Sequence, residues 1–311
     1  MKVAAIIDRN QERAKLVSKR FNIPVTYPTI SDVDLQLDLI SICTPPPTHC
    51  ELTVKSLERG WHVLVEKPMA MTVGEADLMI NASEENNAKL CVAHNFLFAH
   101  SMTRAKALVA KGRVGDVLSI EILQTSNLRR HLPDWFGKLP GGLFFDEAPH
   151  AIYLSQFFLG DFTCTLARAS PWNSYVQPVR NVEAFFETGR ATGHLNMLFA
   201  AGRDEWLVTV VGTRSTMNID LFRDKLVVLG PGGKHTPAEV LFSSIRSIVQ
   251  EARGAVVSGW RWATKRLLFG HDKLISLFIN SIVSNSAPPV TIHDGKKVVA
   301  ILNEIAAKAG L

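Results

Sequence analysis

One acidic residue and three pairs of polar residues in the first hundred positions sit where short apolar runs end: Asp8, Thr44 with His49, Glu66 with Lys67, and His94 with Asn95. In an open α/β sheet, ligands bind in the crevice outside the carboxyl ends of the strands. An acidic residue after an early strand can take the diol of a ribose, and a lysine can reach a reacting carbon. The set is the chemistry a dinucleotide site needs, although strand ends are commonly polar without any site.

The elements that must position these groups follow from the pattern. Apolar runs at 3–7, 37–43, 62–65 and 89–93 read as buried strands, and helical patterns at 10–21, 48–59 and 74–86 separate them. Strands alternating with helices predict a parallel sheet with crossover helices. Asn10 is placed to cap its helix, Gly60 to end the second, and Thr44-Pro45-Pro46-Pro47 to stop a strand, because proline cannot donate to a ladder. Beyond residue 100 the rhythm changes. A helix at 100–111 and a strand at 116–125 lead through a loop rich in Pro, Gly and Trp to a helix at 146–159. Strand-like runs follow at 162–169, 181–188, 191–199, 206–211, 215–221 and 225–229, which predict a mainly antiparallel sheet. The basic, apolar segment 240–285 and a helix at 294–309 complete the chain. The expectation is an α/β, Rossmann-like domain over 1–98, followed by an α+β domain over 99–311.

Composition narrows the function classes. The chain has 311 residues with 47% hydrophobic content, so it carries enough apolar material for two cores and is not disordered. A net charge of +5 over this length is a weak field, which argues against a nucleic-acid partner. No apolar run approaches the ~20 residues a spanning helix requires, and the N-terminus is charged too early for a signal peptide. The four cysteines, Cys43, Cys50, Cys91 and Cys164, form no C-x-x-C pair and have no histidine at zinc-site spacing. Reduced thiols, no bound metal and a cytoplasmic location are therefore expected.

The chain resembles the Gfo/Idh/MocA family of NAD(P)-dependent sugar and inositol oxidoreductases. The likeness rests on Asp8-Arg9-Asn10 before Glu12-Arg13-Ala14, on Thr44-Pro45-Pro46-Pro47-Thr48-His49, and on Gly60-Trp61-His62-Val63-Leu64-Val65-Glu66-Lys67-Pro68. It continues through Gly112-Arg113-Val114-Gly115 and Gly141-Gly142-Leu143-Phe144-Phe145-Asp146-Glu147-Ala148-Pro149-His150. The resemblance implies that Lys67 contacts both nicotinamide and substrate, and that Asp146 and His150 flank the reacting hydroxyl. Four residues apart on a helix, Asp146 and His150 share a face. His150 would accept the hydroxyl proton, Lys67 would stabilise the alkoxide, and Asp146 would orient substrate or imidazole. Cofactor contacts are expected from Asp8, Arg9, Thr44, Pro45, His49, Glu66, Lys67 and Asn95. Asp8 favours NAD, while Arg9 beside it would tolerate the 2′-phosphate of NADP. The resemblance also implies a homo-oligomer, dimer or tetramer, paired through the open face of the second sheet.

Two departures stand against the family pattern. The chain opens at what matches the family's second strand, without the first strand and its G-x-G-x-x-G loop that would cradle a pyrophosphate. Either an upstream stretch of some 30 residues, the usual size of such a unit, belongs to the protein, or the chain binds dinucleotide poorly. Further on, Phe96-Leu97-Phe98 stands where many relatives carry an arginine.

On the substrate side, the loop at 127–136 combines Arg129 and Arg130 with Trp135, as a sugar bearing phosphate or carboxylate would require, unless it is a solvated loop with the tryptophan tucked into the core. Segment 240–285 sets Arg246, Arg253, Arg261, Lys265, Arg266 and Lys273 among Trp260, Trp262 and Phe269. It is expected to pack on its own sheet or over a neighbouring subunit, in preference to an anionic membrane surface. The expected function is hydride transfer between a sugar, polyol or nucleotide-sugar hydroxyl and a nicotinamide. A non-catalytic paralogue with a defective cofactor site and a cofactor-assisted glycoside hydrolase are the alternatives.

Overall fold

A computed structural model describes residues 2–127, 129–172, 177–233 and 236–311. The first half contains β1 (Ala5–Ile7), α1 (Gln11–Phe21), β2 (Val25–Tyr27), β3 (Leu39–Ile42), α2 (His49–Leu57), β4 (His62–Val65), α3 (Val73–Glu85) and β5 (Leu90–Val92). Asn10 caps α1 by accepting the Arg13 N–H at 3.0 Å, and Gly60 closes α2 in a left-handed conformation at φ 75°. Strand β2, Val25-Thr26-Tyr27 between Pro24 and Pro28, offers no apolar run, and the sequence reading passed over it. The strands are parallel, as expected, but they form two pieces, β1-β2 and β3-β4-β5, and among the described residues no ladder joins β1 to β3.

The second half opens with α4 (His100–Ala110), β6 (Val117–Asn127) and α5 (Leu143–Leu159). Helix α5 begins earlier than the expected residue 146, because Gly141 and Gly142 make the turn at φ 67° and 62° and leave Leu143 free to start it. Strands β7 (Thr163–Pro171), β8 (Val179–Glu187), β9 (Thr192–Ala201), β10 (Glu205–Gly212), β11 (Thr216–Asp220) and β12 (Lys225–Leu229) complete a seven-stranded sheet in the order β12-β11-β10-β6-β9-β8-β7. All its pairings are antiparallel except β6 with β9. Alternate residues point inward, among them Leu195, Met197, Trp206, Val208 and Val210, and meet α5 in the larger core.

Helices α6 (Pro237–Ala263), α7 (His271–Val283) and α8 (Ile292–Ala309) end the chain. Segment 240–285 divides between two partners. Helix α6 lies along β12, whereas Leu274 and Phe278 of α7 enter the smaller core around β3, β4 and β5. Helix α8 joins that core through Val299 and the larger one through Leu302 and Ile305. All four cysteines are free; Cys91 and Cys164 are buried, Cys50 is half-buried, and Cys43 is exposed.

Two tests follow from this packing. Gly295 lets α8 approach β5, since a Cβ there would lie 2.6 Å from Val92 Cγ2 and 2.8 Å from Met69 Sδ. Gly295→Val should cost about 2 kcal/mol in urea unfolding through overpacking, and unchanged stability would mean that α8 sits further out. His94, at the end of β5, is buried against the Tyr153 ring at 4.4 Å, and burial pushes its pKa down to about 3 despite the charge of Asp294. Its unfolded pKa is near 6.5, so between those values the unfolded chain binds the extra proton and stability falls as pH drops. That slope is about 1.4 kcal/mol per pH unit for this group, and His94→Gln should remove it from the pH dependence of unfolding.

Candidate active site

Lys67 lies two residues beyond β4, at the carboxyl edge of the three-stranded sheet, and reaches across to the first turn of α5. Its Nζ lies 3.0 Å from Asp146 Oδ2 and 2.9 Å from the Asp146 carbonyl oxygen, with the two side chains only 12% and 16% exposed. Burial alone would lower the lysine pKa, but the carboxylates of Asp146, Glu147 and Glu66 outweigh it and hold the group above its usual range. Lys67 is therefore a fixed cation. Glu147, the next residue on the helix, pairs with Arg130 at 3.0 Å and ties the substrate-side loop to α5.

One turn further along α5, His150 is buried between the rings of Phe96 and Trp206, with centroids at 4.5 and 5.6 Å. Burial, then the charges of Lys67, His94 and His271, push its pKa well down, so the ring is neutral. Its Nδ1 is 2.6 Å from the hydroxyl of Tyr153, which also accepts the Phe96 N–H at 3.2 Å. Burial raises the Tyr153 pKa well above 10, so the phenol keeps its proton. A hydroxyl hydrogen can rotate, and Tyr153 can therefore accept from Nδ1 or donate to it as the imidazole changes tautomer. Tyr153 was missed in the sequence, although the spacing 146, 150 and 153 places it on the same helical face as the other two.

The structure gathers Lys67, Asp146 and His150 in one place. Glu66 is close by and half-buried, with its carboxylate 3.8 Å from His271 Nε2. Thr44 is exposed and Pro45 half-exposed at the neighbouring strand end. Two expected cofactor contacts are corrected. His49 has no exposed surface, and its Nδ1 and Nε2 lie 2.8 Å from the Pro68 carbonyl and 2.7 Å from the Thr44 carbonyl. It pins the β3 and β4 ends together and so positions Lys67. Asn95 is also buried, and its amide donates to the Phe269 carbonyl at 3.0 Å, joining β5 to the segment before α7.

At the other end of the crevice, Asp8 accepts two bonds from Arg13, at 2.6 and 2.7 Å, and one from the Asn10 N–H at 2.9 Å. The guanidinium contact, against a small burial penalty, keeps its carboxyl below the usual range. Asp8 and Arg9 remain accessible, Asp8 partly and Arg9 fully. A cavity of about 350 Å³ opens between β6, α5 and the loop after β6, lined by Asn127, Arg130, His131, Asp134, Trp172 and Phe199 among others. Arg130 reaches it. Arg129 is exposed elsewhere on the loop, and Trp135 stacks on Phe136 at 4.0 Å against the larger core, so the tryptophan is a packing residue. Leu128 in that loop lies outside the described residues.

These features have counterparts in known proteins. Residues 1–94 match the model for the oxidoreductase family with an NAD-binding Rossmann fold, and residues 102–218 match the GFO/IDH/MocA C-terminal domain. Oxidoreductase P35 of Formosa agariphila is 26% identical over 241 residues, covering 73% of each chain. Levoglucosan dehydrogenase of Pseudarthrobacter phenanthrenivorans is 30% identical over 54% of this chain and 45% of its own. D-xylose 1-dehydrogenase (NADP(+)) 2 of Haloferax volcanii is 30% identical over 50% of this chain and 49% of its own. The matched stretch thus spans about half the length of the latter two. Among solved structures, WlbA dehydrogenase of Bordetella pertussis in complex with NADH and UDP-GlcNAcA superposes with TM-score 0.80 at 18% identity, over 99% of this chain and 87% of that one. A levoglucosan dehydrogenase complex with NADH gives 0.79 at 21% identity, over 99% and 88%. Two family models in the expected order, on a chain with this fold, settle the family: the protein belongs to the Gfo/Idh/MocA oxidoreductases.

Proposed function

We propose that the protein is an NAD-dependent dehydrogenase acting on a hydroxyl of a sugar, polyol or nucleotide sugar. The observation that carries this reading is the fixed Lys67 cation held against Asp146, one helical turn from a neutral, buried His150. The relatives named for levoglucosan and xylose oxidation, and the neighbour solved with a nucleotide sugar, support the substrate class. So does the polar cavity at Arg130 and His131, whose ~350 Å³ falls within the usual range for small-molecule sites.

The residues present fit the nicotinamide end of the cofactor through Lys67, Glu66 and the exposed Thr44, and its adenosine ribose through Asp8. The Asp8 carboxylate already holds three bonds and keeps about one acceptor position for a ribose hydroxyl. Arg9 and Arg13 beside it leave NADP as a possible second cofactor. Among the described residues no glycine-rich turn joins a strand of the parallel sheets to its helix to receive the pyrophosphate. When bound, the nicotinamide supplies the hydride acceptor. The chain's own work is to hold the carbinol oxygen near Lys67, whose charge stabilises oxygen as it becomes an alkoxide. His150 Nε2 takes the hydroxyl proton while Nδ1–H donates to Tyr153, and Asp146 keeps the lysine in place. A dry pocket of Phe96, Trp206 and Tyr153 strengthens each of these interactions.

The same proposal includes a division near residue 98 between cofactor and substrate halves, and a cytoplasmic location, which the four free thiols support. No helix among the described residues is long and apolar enough to cross a membrane. It also includes a homo-oligomer paired through the outer sheet face, where Leu118, Leu166, Phe185 and Leu207 are exposed.

A screen of sugars and polyols for NADH formation tests the activity. With a substrate in hand, His150→Ala should lower kcat by about 10²–10⁴ with the fold intact. Tyr153→Phe should lower it about tenfold, as one buried hydrogen bond is worth, and should shift the pH profile of kcat, which a purely structural residue would not do. Glycoside hydrolysis without net NADH formation would instead support the hydrolase, and wild-type turnover in His150→Ala would remove the histidine from the mechanism.

A further inference from the structure

Helix α6 is amphipathic the wrong way round for a helix that packs on its own sheet. Its polar side faces the protein. Gln250 accepts the Val228 N–H and donates to the Val228 carbonyl, both at 3.0 Å; Glu251 pairs with Lys225; Arg261 turns towards the buried Asp224; and Gly254 sits over the Lys225 stem. None of its 27 residues is fully buried. The apolar side faces outward, with Phe242 70% exposed, Ile245 47%, Val249 60% and Val256 72%.

The outward residues are spaced for another helix. Phe242, Ile245, Val249, Ala252, Val256, Gly259 and Ala263 follow one another at alternating intervals of three and four, the seam of a coiled coil. Bulk falls along that seam, from Phe and Ile at its start to Gly and Ala at its end. A parallel copy would crowd the large end and leave the small end open. An antiparallel copy related by a twofold axis beside Ala252 instead sets Phe242 against the partner's Ala263, Ile245 against the partner's Gly259, and Val249 against the partner's Val256. The same register brings Leu241 and Ile248 beside the partner's Trp262 and Ala255, and Arg246 over the partner's Trp260.

We propose that α6 is an isologous dimer interface whose occupant is α6 of a second copy of this chain. A seam of ~40 Å, the length of a 27-residue helix, reaches the lower end of the ~1,200–2,000 Å² that stable interfaces bury. An anionic membrane surface is the rival occupant, since Arg246 and Arg253 flank the apolar stripe as they would on lipid; the three-four seam and its fall in bulk from Phe242 to Ala263 favour a second helix. The opposing interaction is Arg253 facing its own copy at the solvent-exposed rim. Salt screens that repulsion, so the pairing should hold or tighten as salt rises, whereas binding to anionic lipid weakens. This interface is independent of the outer sheet face. Together the two would build a closed tetramer, and either alone a dimer.

The test is the mass of the whole chain in solution by light scattering, for wild type and for Val249→Glu/Val256→Glu, whose substituted positions are too exposed for the change to unfold the protein. The expected result is a mass halved in the double variant, with the thermal transition retained. Ala252→Cys in a Cys43→Ser background should form an interchain disulfide on oxidation, while Val240→Cys in the same background should not. Equal masses for wild type and variant would overturn the proposal, whatever the state of the sheet face. Equal cross-linking at both cysteines would overturn the antiparallel register. A monomer that sediments with phosphatidylserine vesicles, and is released by salt, would assign the face to lipid.

Discussion

The ion pair between Lys67 and Asp146 spans 79 residues of sequence and joins the end of the three-stranded parallel sheet to helix α5 of the second half. One partner stands just beyond the end of a parallel strand and the other in the first turn of a helix from the other half. A pair this far from solvent is costly to assemble, because both ions lose water and only good geometry compensates. Here the lysine has two acceptors from one residue, and Glu147 and Glu66 add negative charge around it. Much of the nearby structure holds this geometry. His49 ties the β3 and β4 ends together, Arg130 holds Glu147, and Asn303 of α8 donates to the Met71 carbonyl just beyond the Lys67–Pro68 turn.

The electrostatics of the site divide its groups by role. Lys67 stays charged because its carboxylate neighbours outweigh burial; His150 stays neutral because burial and a cation act in the same direction. A cation fixed beside a neutral imidazole can stabilise oxygen as it gains charge and also receive its proton. Tyr153 adds a hydroxyl rotor that serves either tautomer of the imidazole.

Much of this was legible in the sequence. Lys67 was readable at a strand end before proline, while Asp146 and His150 came from the resemblance to the family, with their helical interval of four agreeing. His49 and Asn95 were misassigned to the cofactor for a shared reason. Residue type at a strand end shows polarity, but whether the side chain turns out to the crevice or back to a main-chain carbonyl depends on packing from elements far along the chain. Trp135 shows the same limit in the substrate loop. Segment 240–285 read as one basic amphipathic stretch, and its helical period was clear. Which of its faces meets the sheet was not, because Gln250, Glu251 and Arg261 find β12 partners that no local pattern reveals. Strand β2, Val25-Thr26-Tyr27 between two prolines, offered no apolar run to read.

The central claim is that this crevice binds a nicotinamide cofactor against Lys67. Titration of the chain with NADH, followed by quenching of tryptophan fluorescence, tests it directly, since Trp206 lies 5.6 Å from His150. The account predicts saturable quenching that weakens about tenfold or more in Lys67→Met, the loss expected when a buried charged contact is removed. Absence of quenching in the wild-type chain, or equal affinity in the two proteins, would contradict it.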